Sequence, residues 1–282
     1  MSNNSVISVA FQGELGAFSF SAARKFFSPE IRVQPFENFK QVFEALSAGS
    51  VTHAVVPIEN TLYGSIHENY DHLLQYDFKI NGETTVRIAH QLITVPGVSF
   101  HKIRRVFSHP VALGQCRRFF EEFPQLEPVS FYDTAGSVKM LMQQQLTDAA
   151  AIASEASAEI YGGSVIRKNI EDNEHNFTRF FLLTKQMQTE EEYCSADFWK
   201  TSLVFAITNV PGALFKAMAC FALRDLNLTK IESRPIREKP WEYLFYVDVI
   251  GCIEDGNVKK AILHLEELTT FLKVLGSYRP TL

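Results

Sequence analysis

Over the first two thirds of the chain, short apolar runs alternate with amphipathic stretches of helical length, and this alternation restricts the fold more than any other feature. The strand-like runs are VISVAFQ, IRVQPF, HAVVPI, HQLITV, RRVFSH, PVSFYD, AAAIAS and FTRFFLLT. Between them lie FSFSAARKFF, FKQVFEALSAG, SIHENYDHLLQY, VALGQCRRFFEEF and SVKMLMQQQL. Strands that alternate with helices predict an α/β region on a mostly parallel sheet. From Gln186 to Lys200 the periodicity stops, and three consecutive glutamates mark a linker. Beyond it, TSLVFAIT, ALFKAMACFALRDL, LTKIESRP, YLFYVDVIG, NVKKAILHLEELT and LKVLGSY follow in the order βαββαβ, a ferredoxin-like arrangement. Pro211-Gly212 opens its first helix, whose Leu214, Met218, Phe221 and Ala222 share a face. The expected organisation is therefore 1–185, a linker 186–200, and 201–282.

Composition removes several classes of function. At 46% hydrophobic and 21% charged, the 282 residues match an ordinary globular protein. A formal charge of -5 gives no basic footprint, so nucleic acid is not an expected partner. No apolar run has spanning length, and no membrane partner is expected. The start MSNNSVISVAFQGE lacks the basic residues and apolar run of a signal peptide, which predicts a cytoplasmic protein. Cys116, Cys194, Cys220 and Cys252 are far apart and form no C-x-x-C, so free, partly buried thiols are expected. Eight scattered histidines without H-E-x-x-H predict no metal, and no cofactor motif is present.

In open α/β sheets ligands bind beyond the carboxyl ends of strands, so the residues there carry the functional reading. Gln12-Gly13-Glu14-Leu15-Gly16 follows the first strand, and its glycines allow a tight turn with N–H groups near a ligand. Glu59-Asn60-Thr61 follows HAVVPI, where no structural need for a carboxylate is evident. Ser65 and Glu68 have capping-box spacing. Ser108 or His109 caps a helix that Pro110 begins, and Gln115 lies about two turns after Ser108. Asp133-Thr134-Ala135-Gly136-Ser137 is another cap-rich start. Thr178-Arg179 opens a buried strand, and a buried arginine is costly unless an anion or strong acceptor meets it. Each piece alone reads as a cap or a structural pair. Together they predict a cleft for a small anionic ligand, and residue types alone choose no reaction.

NFTRF, VPIENTLYGSI, SHPVALGQC and YDTAGS resemble the motifs of the prephenate dehydratase family, in family order. Gly212-Ala213-Leu214 and Glu232-Ser233-Arg234-Pro235 resemble the phenylalanine-binding motifs of its regulatory ACT domain, and the resemblance runs from about residue 6 to residue 278. It implies an α/β fold: a two-lobed, periplasmic-binding-protein-like catalytic domain plus a ferredoxin-like βαββαβ ACT domain. It also implies conversion of prephenate to phenylpyruvate with loss of water and carbon dioxide in phenylalanine biosynthesis. L-phenylalanine would act as allosteric effector at Gly212, Ala213, Leu214, Glu232, Ser233, Arg234 and Pro235, in a homodimer or homotetramer.

In that reading Thr178, Arg179, Phe180 and Glu59 are the candidate catalytic residues, and Asn60, Thr61, Ser108 and Gln115 bind substrate. Thr178 hydrogen-bonds the leaving hydroxyl, which it polarises, or a carboxylate; Phe180 packs beneath the site, and Glu59 is the motif carboxylate available as general acid. Arg179 pairs either with a substrate carboxylate or with an acid such as Glu59 or Asp172. Val111 departs from the family, which has glutamine in its place. Two alternatives stay open. KIESRPIREKPWEYLFYVD resembles plant arogenate dehydratases, which perform the same elimination on the amino analogue. A non-catalytic amino-acid sensor is the other, and the intact Thr178, Glu59 and Gln115 set speaks against it.

Overall fold

A computed structural model describes residues 7–27, 31–186, 198–236 and 241–281. The chain divides into two compact units, Met1–Tyr76 with Thr84–Leu182, and Asp77–Glu83 with Leu183–Leu282. Residues 187–197, most of the expected linker, lie outside the described residues, as does Cys194.

The first unit contains two lobes. The first lobe runs β1 (Ser8–Gln12), α1 (Phe18–Phe26), β2 (Arg32–Phe36), α2 (Phe39–Ala48), β3 (His53–Asn60), β4 (Gly64–Ser65), α3 (His67–Gln75) and β5 (Lys79–Arg87), the last entering this unit at Thr84. The second runs β6 (Gln91–Thr94), β7 (Arg105–Ser108), α4 (Pro110–Gly114), α5 (Arg117–Glu122), β8 (Glu127–Ser130), α6 (Thr134–Gln144), β9 (Ala149–Ala153), α7 (Glu155–Tyr161) and β10 (Ser164–Arg167). The chain then returns to the first lobe as β11 (Phe177–Thr184), which lies beside β3 in the order β5-β11-β3-β1-β2. That return places NFTRF next to Glu59-Asn60.

The parallel strand β1 lies between β2 and β3, and the cores of β1 and β3 are buried, as helix-covered parallel strands require. In the second lobe β7 is parallel to β8 and β9, whereas β6 is antiparallel to both β9 and β10. The sheets are therefore mixed rather than mostly parallel. Alternating element types do not encode strand direction, and the strands that lead into and out of this lobe run against their neighbours. The stretch VALGQCRRFFEEF is not one helix but two, α4 and α5, broken at Gln115-Cys116. The Asp172 carboxylate accepts from Arg117 N and Arg118 N at 2.9 Å, so it caps the second piece from outside.

The second unit carries β12 (Lys200–Ala206), α8 (Ala213–Ala222), β13 (Leu228–Pro235), β14 (Tyr243–Ile250), α9 (Gly256–Leu268) and β15 (Phe271–Tyr278), with sheet order β13-β14-β12-β15. Alternate β12 residues Leu203 and Phe205 pack with Val247, Phe221 and Leu265 into a helix-covered core. Gly212 precedes α8 with φ at 78°, a left-handed conformation that glycine adopts without Cβ strain. Cys116 and Cys220 are buried free thiols. Cys252 corrects the free-thiol expectation, because it is disulfide-bonded; separation along a sequence does not report separation in space. Among the described residues no helix is long and apolar enough to cross a membrane, and no cluster of His, Cys, Asp or Glu could hold a metal ion.

Candidate active site

Asn60 ends β3 and organises the centre of the site. Its Oδ1 accepts from Leu62 N at 2.9 Å and Tyr63 N at 3.1 Å, which fixes the amide so that Nδ2 faces β11. That nitrogen donates to Asn176 Oδ1 at 2.8 Å, Thr178 Oγ1 at 2.9 Å and Phe177 O at 3.1 Å. Thr178 is 7% exposed, and its oxygen is engaged as an acceptor. Its own O–H finds no acceptor among the described residues. A hydroxyl held through its lone pair keeps its proton available for a further acceptor.

Arg179 is placed differently. Consecutive strand residues project to opposite faces, so Thr178 meets Asn60 while Arg179 meets Glu59 and lies over the Phe181 ring. The Arg179–Glu59 separation is 3.7 Å, and the cation lies 4.9 Å from the ring centroid. Phe180 is buried in the first-lobe core with Val9, Ala22, Val55 and Leu182. Thr61 ties two loops together: its Oγ1 donates to His175 O and accepts from Phe177 N. Ser108 is fully buried and donates to Ile152 O at 2.6 Å, so its hydroxyl secures β7 to β9.

Gln115 caps the end of α4, and its Oε1 lies 2.6 Å from His90 Nε2. His90 was not singled out by sequence, because in IAHQLIT it reads as part of an apolar run. It is 1% exposed, edge-on to Phe18, and its Nδ1 has no partner among the described residues. An orphan lone pair costs less than an orphan N–H, so the neutral tautomer carries its proton on Nε2 and donates to Gln115. Burial holds the His90 pKa below its ordinary value, partly offset by the Gln115 hydrogen bond and the Glu171 charge. The native state therefore binds fewer protons than the unfolded chain below the unfolded value of 6.5, and stability falls with pH from there toward the lowered native value. We expect melting temperature to drop across that window and the slope to shrink in His90→Gln; an unchanged slope refutes the assignment. His53, also lowered by burial, supplies a residual slope of the same sign.

The expected helix starts do not converge as bare amides. His109, not Ser108, caps α4; Ile66 precedes α3 without a side-chain cap; Asp133 accepts from Gly136 N at 2.7 Å at the start of α6. The glycine turn after β1 joins the lobes instead. Gly16 O accepts from Ser154 and Ser157 hydroxyls, and Glu14 meets Tyr132 and Lys139 at 2.9 Å. At Gly16 φ is +88°, and a Cβ there would lie 2.7 Å from Ser157 Cα, so the approach requires glycine. The open groove beside this turn, about 1070 Å³, is lined by Glu14, Glu37, Glu44 and Asp133, a poor setting for an anion.

Residues 9–188 match the family model for prephenate dehydratase. The chain belongs to the prephenate dehydratase family. Residues 201–267 match the ACT domain model, so the family's regulatory module follows the catalytic one. "Arogenate dehydratase/prephenate dehydratase 2, chloroplastic" from Arabidopsis thaliana is 44% identical over 99% of this chain and 74% of its own length. The prephenate dehydratase of Arthrobacter aurescens, solved in complex with L-Phe, superposes with a TM-score of 0.87 at 30% identity, covering 97% of this chain and 90% of that one. GqqA, described as a novel type of quorum-quenching acylase, gives 0.88 at 31% identity, covering 97% and 98%. The cytoplasmic expectation is corrected by the relatives, since five similar Arabidopsis thaliana dehydratases are named as chloroplastic. It rested on a missing secretory signal, which is a different physical pattern from a transit segment.

In this dehydratase the ACT residues separate into two groups. Gly212, Ala213 and Leu214 line a cavity of about 290 Å³ with Val210, Trp241 and Tyr243. Glu232, Ser233, Arg234 and Pro235 lie on β13, an edge strand, with Pro235 opposite Tyr243. Glu232 Oε2 lies 3.7 Å from Lys230 Nζ.

Proposed function

We propose that this enzyme converts prephenate to phenylpyruvate, carbon dioxide and water. The Thr178 hydroxyl carries the proposal, because it is fixed by Asn60 and its proton meets no acceptor among the described residues. Prephenate loses its ring carboxylate as carbon dioxide; that bonding pair enters the ring, and the ring C–O bond breaks with departure of hydroxide, which a proton converts to water. Aromatisation drives the step, so the enzyme must orient the dianion and stabilise the charge that grows on the departing oxygen. Thr178 donates to that oxygen. A threonine is too weak an acid to surrender its proton fully, and polarisation at a preorganised site suffices. Asn60, Thr61 and Ser108 hold the frame, Gln115 faces substrate, and Glu59 with Arg179 forms a charged pair beside it. An acylase reading finds less support: the Ser108 hydroxyl is spent on a backbone carbonyl and Thr178 neighbours an amide rather than a base.

Arogenate is the second reading, favoured by the name of the Arabidopsis relative. Purified protein assayed side by side on prephenate and arogenate decides between them. Preference for prephenate is expected, and turnover of neither would sink the dehydratase reading. L-phenylalanine is the proposed effector, bound at Gly212–Leu214 and at Glu232–Pro235 where β13 edges pair in a homodimer or homotetramer. At a hundredfold excess over Kd it should stabilise the protein by about 2.7 kcal/mol while inhibiting turnover. Absence of both effects, or a monomer by light scattering, removes the regulatory part.

A further inference from the structure

A cavity of about 370 Å³ is lined by Tyr63, Gln115, Arg117, Glu171, Asp172 and Asn176 among others. Two amides in its wall have fixed orientations. Asn60 is locked by two backbone N–H groups, so the atom of Asn176 that faces it must be the acceptor Oδ1. Asn176 Nδ2 is then left over, in a fully buried residue, without a partner among the described residues. Gln115 is turned in the same way by His90, which takes its Oε1 and leaves its NH2 for the cavity. The Arg117 side chain is exposed and makes no ion pair among the described residues.

The two acids in the wall do not oppose an anion. Glu171 accepts from Arg87 Nη2 at 2.7 Å and from His90 N at 2.8 Å. Asp172 is spent on the start of α5. The wall thus brings together Asn176, Gln115 and Arg117, whose donors find no acceptor among the described residues, and buried donors are nearly always satisfied by something.

We propose that Asn176 Nδ2, Gln115 Nε2 and the Arg117 guanidinium seat the side-chain carboxylate of the substrate, the one that survives the reaction; this rests on the dehydratase reading. The choice between the two carboxylates follows from charge. The ring carboxylate becomes neutral carbon dioxide, so donors gathered around it would stabilise the ground state more than the transition state and slow the step. The side-chain carboxylate keeps its charge throughout and is held equally well at both points. Its seat belongs beside the Asn60 amide, whose nitrogen also holds Thr178 at the leaving oxygen. Asn176 is thus a binding residue, and His90 a positioning residue that acts through Gln115.

Asn176→Asp tests this, because it keeps the acceptor for Asn60 and removes the free donor. KM for the better substrate should rise on the order of 10- to 100-fold, with kcat within about threefold. The Kd of phenylpyruvate, titrated calorimetrically, should weaken in parallel. If that variant does not fold, Gln115→Met is read in the same way. Unchanged KM and phenylpyruvate affinity in a folded variant overturn the seat, as does a fall in kcat alone. If the wild type turns over neither substrate, the dehydratase reading fails while the seat is judged by phenylpyruvate alone: weakened binding in the variants supports it, and no binding to the wild type overturns it.

Discussion

Thr178→Val is expected to lower kcat by about 10²- to 10³-fold while leaving KM within about threefold. Valine matches the shape of threonine and suits a buried strand, so no cavity opens at a position that is 7% exposed. Asn60 keeps Asn176 Oδ1 and the Phe177 carbonyl as acceptors and holds its place. What is lost is one O–H aimed at an oxygen whose charge grows only as the C–O bond breaks. An interaction made only in the transition state appears in kcat, not in KM. Thr178→Ser restores the hydroxyl without the methyl and should recover most of the rate. If the valine variant turns over like the wild type with its fold intact, the proton that matters comes from elsewhere, and Glu59 becomes the next residue to replace.

The contrast between Thr178 and Arg179 shows how far sequence carried the site. The motif stands as a pair in NFTRF, yet strand alternation divides it: one residue addresses the Asn60 amide, the other Glu59 and an aromatic ring. Period-two alternation was readable, but the partner across the sheet was not, because β11 meets β3 through a strand order that local pattern does not contain. Gln115 was readable as a polar residue near a helix start, whereas its orientation was not. It depends on His90, 25 positions away, and on a helix break enforced by Asp172, 55 positions from Arg117. The strands of the core were legible because their apolar runs are local. β5 was not, since KINGETTVR carries Asn81, Glu83 and Thr84 and has no apolar run. Glu83 and Thr84 are nevertheless buried.

What permits that burial lies 117 residues along the chain and leads to the second large effect. Lys200→Met should destabilise the second unit by about 3–5 kcal/mol. Lys200 Nζ lies 2.9 and 3.0 Å from the two Glu83 oxygens, with side chains 10% and 9% exposed. Tyr278 donates to the same carboxylate at 3.2 Å and lies 2.8 Å from the Ser202 hydroxyl, which reaches on to Asp248. Removing the lysine takes from a buried carboxylate the cation that bridges both its oxygens, and desolvation of the remaining charge is what destabilises. Removing both charges is a different matter: Lys200→Met with Glu83→Leu should recover most of the loss, because apolar residues of similar size replace such pairs at little cost. Urea unfolding of the two single variants and the double gives the coupling directly. Additive losses, with no recovery in the double variant, would mean that the pair adds little beyond its separate packing. The pair also identifies the face of β12. A one-residue slip would turn Lys200 toward the side where Leu203 and Phe205 meet the helices, so a buried charge held by Glu83 penalises the wrong register as strongly as apolar packing favours the right one.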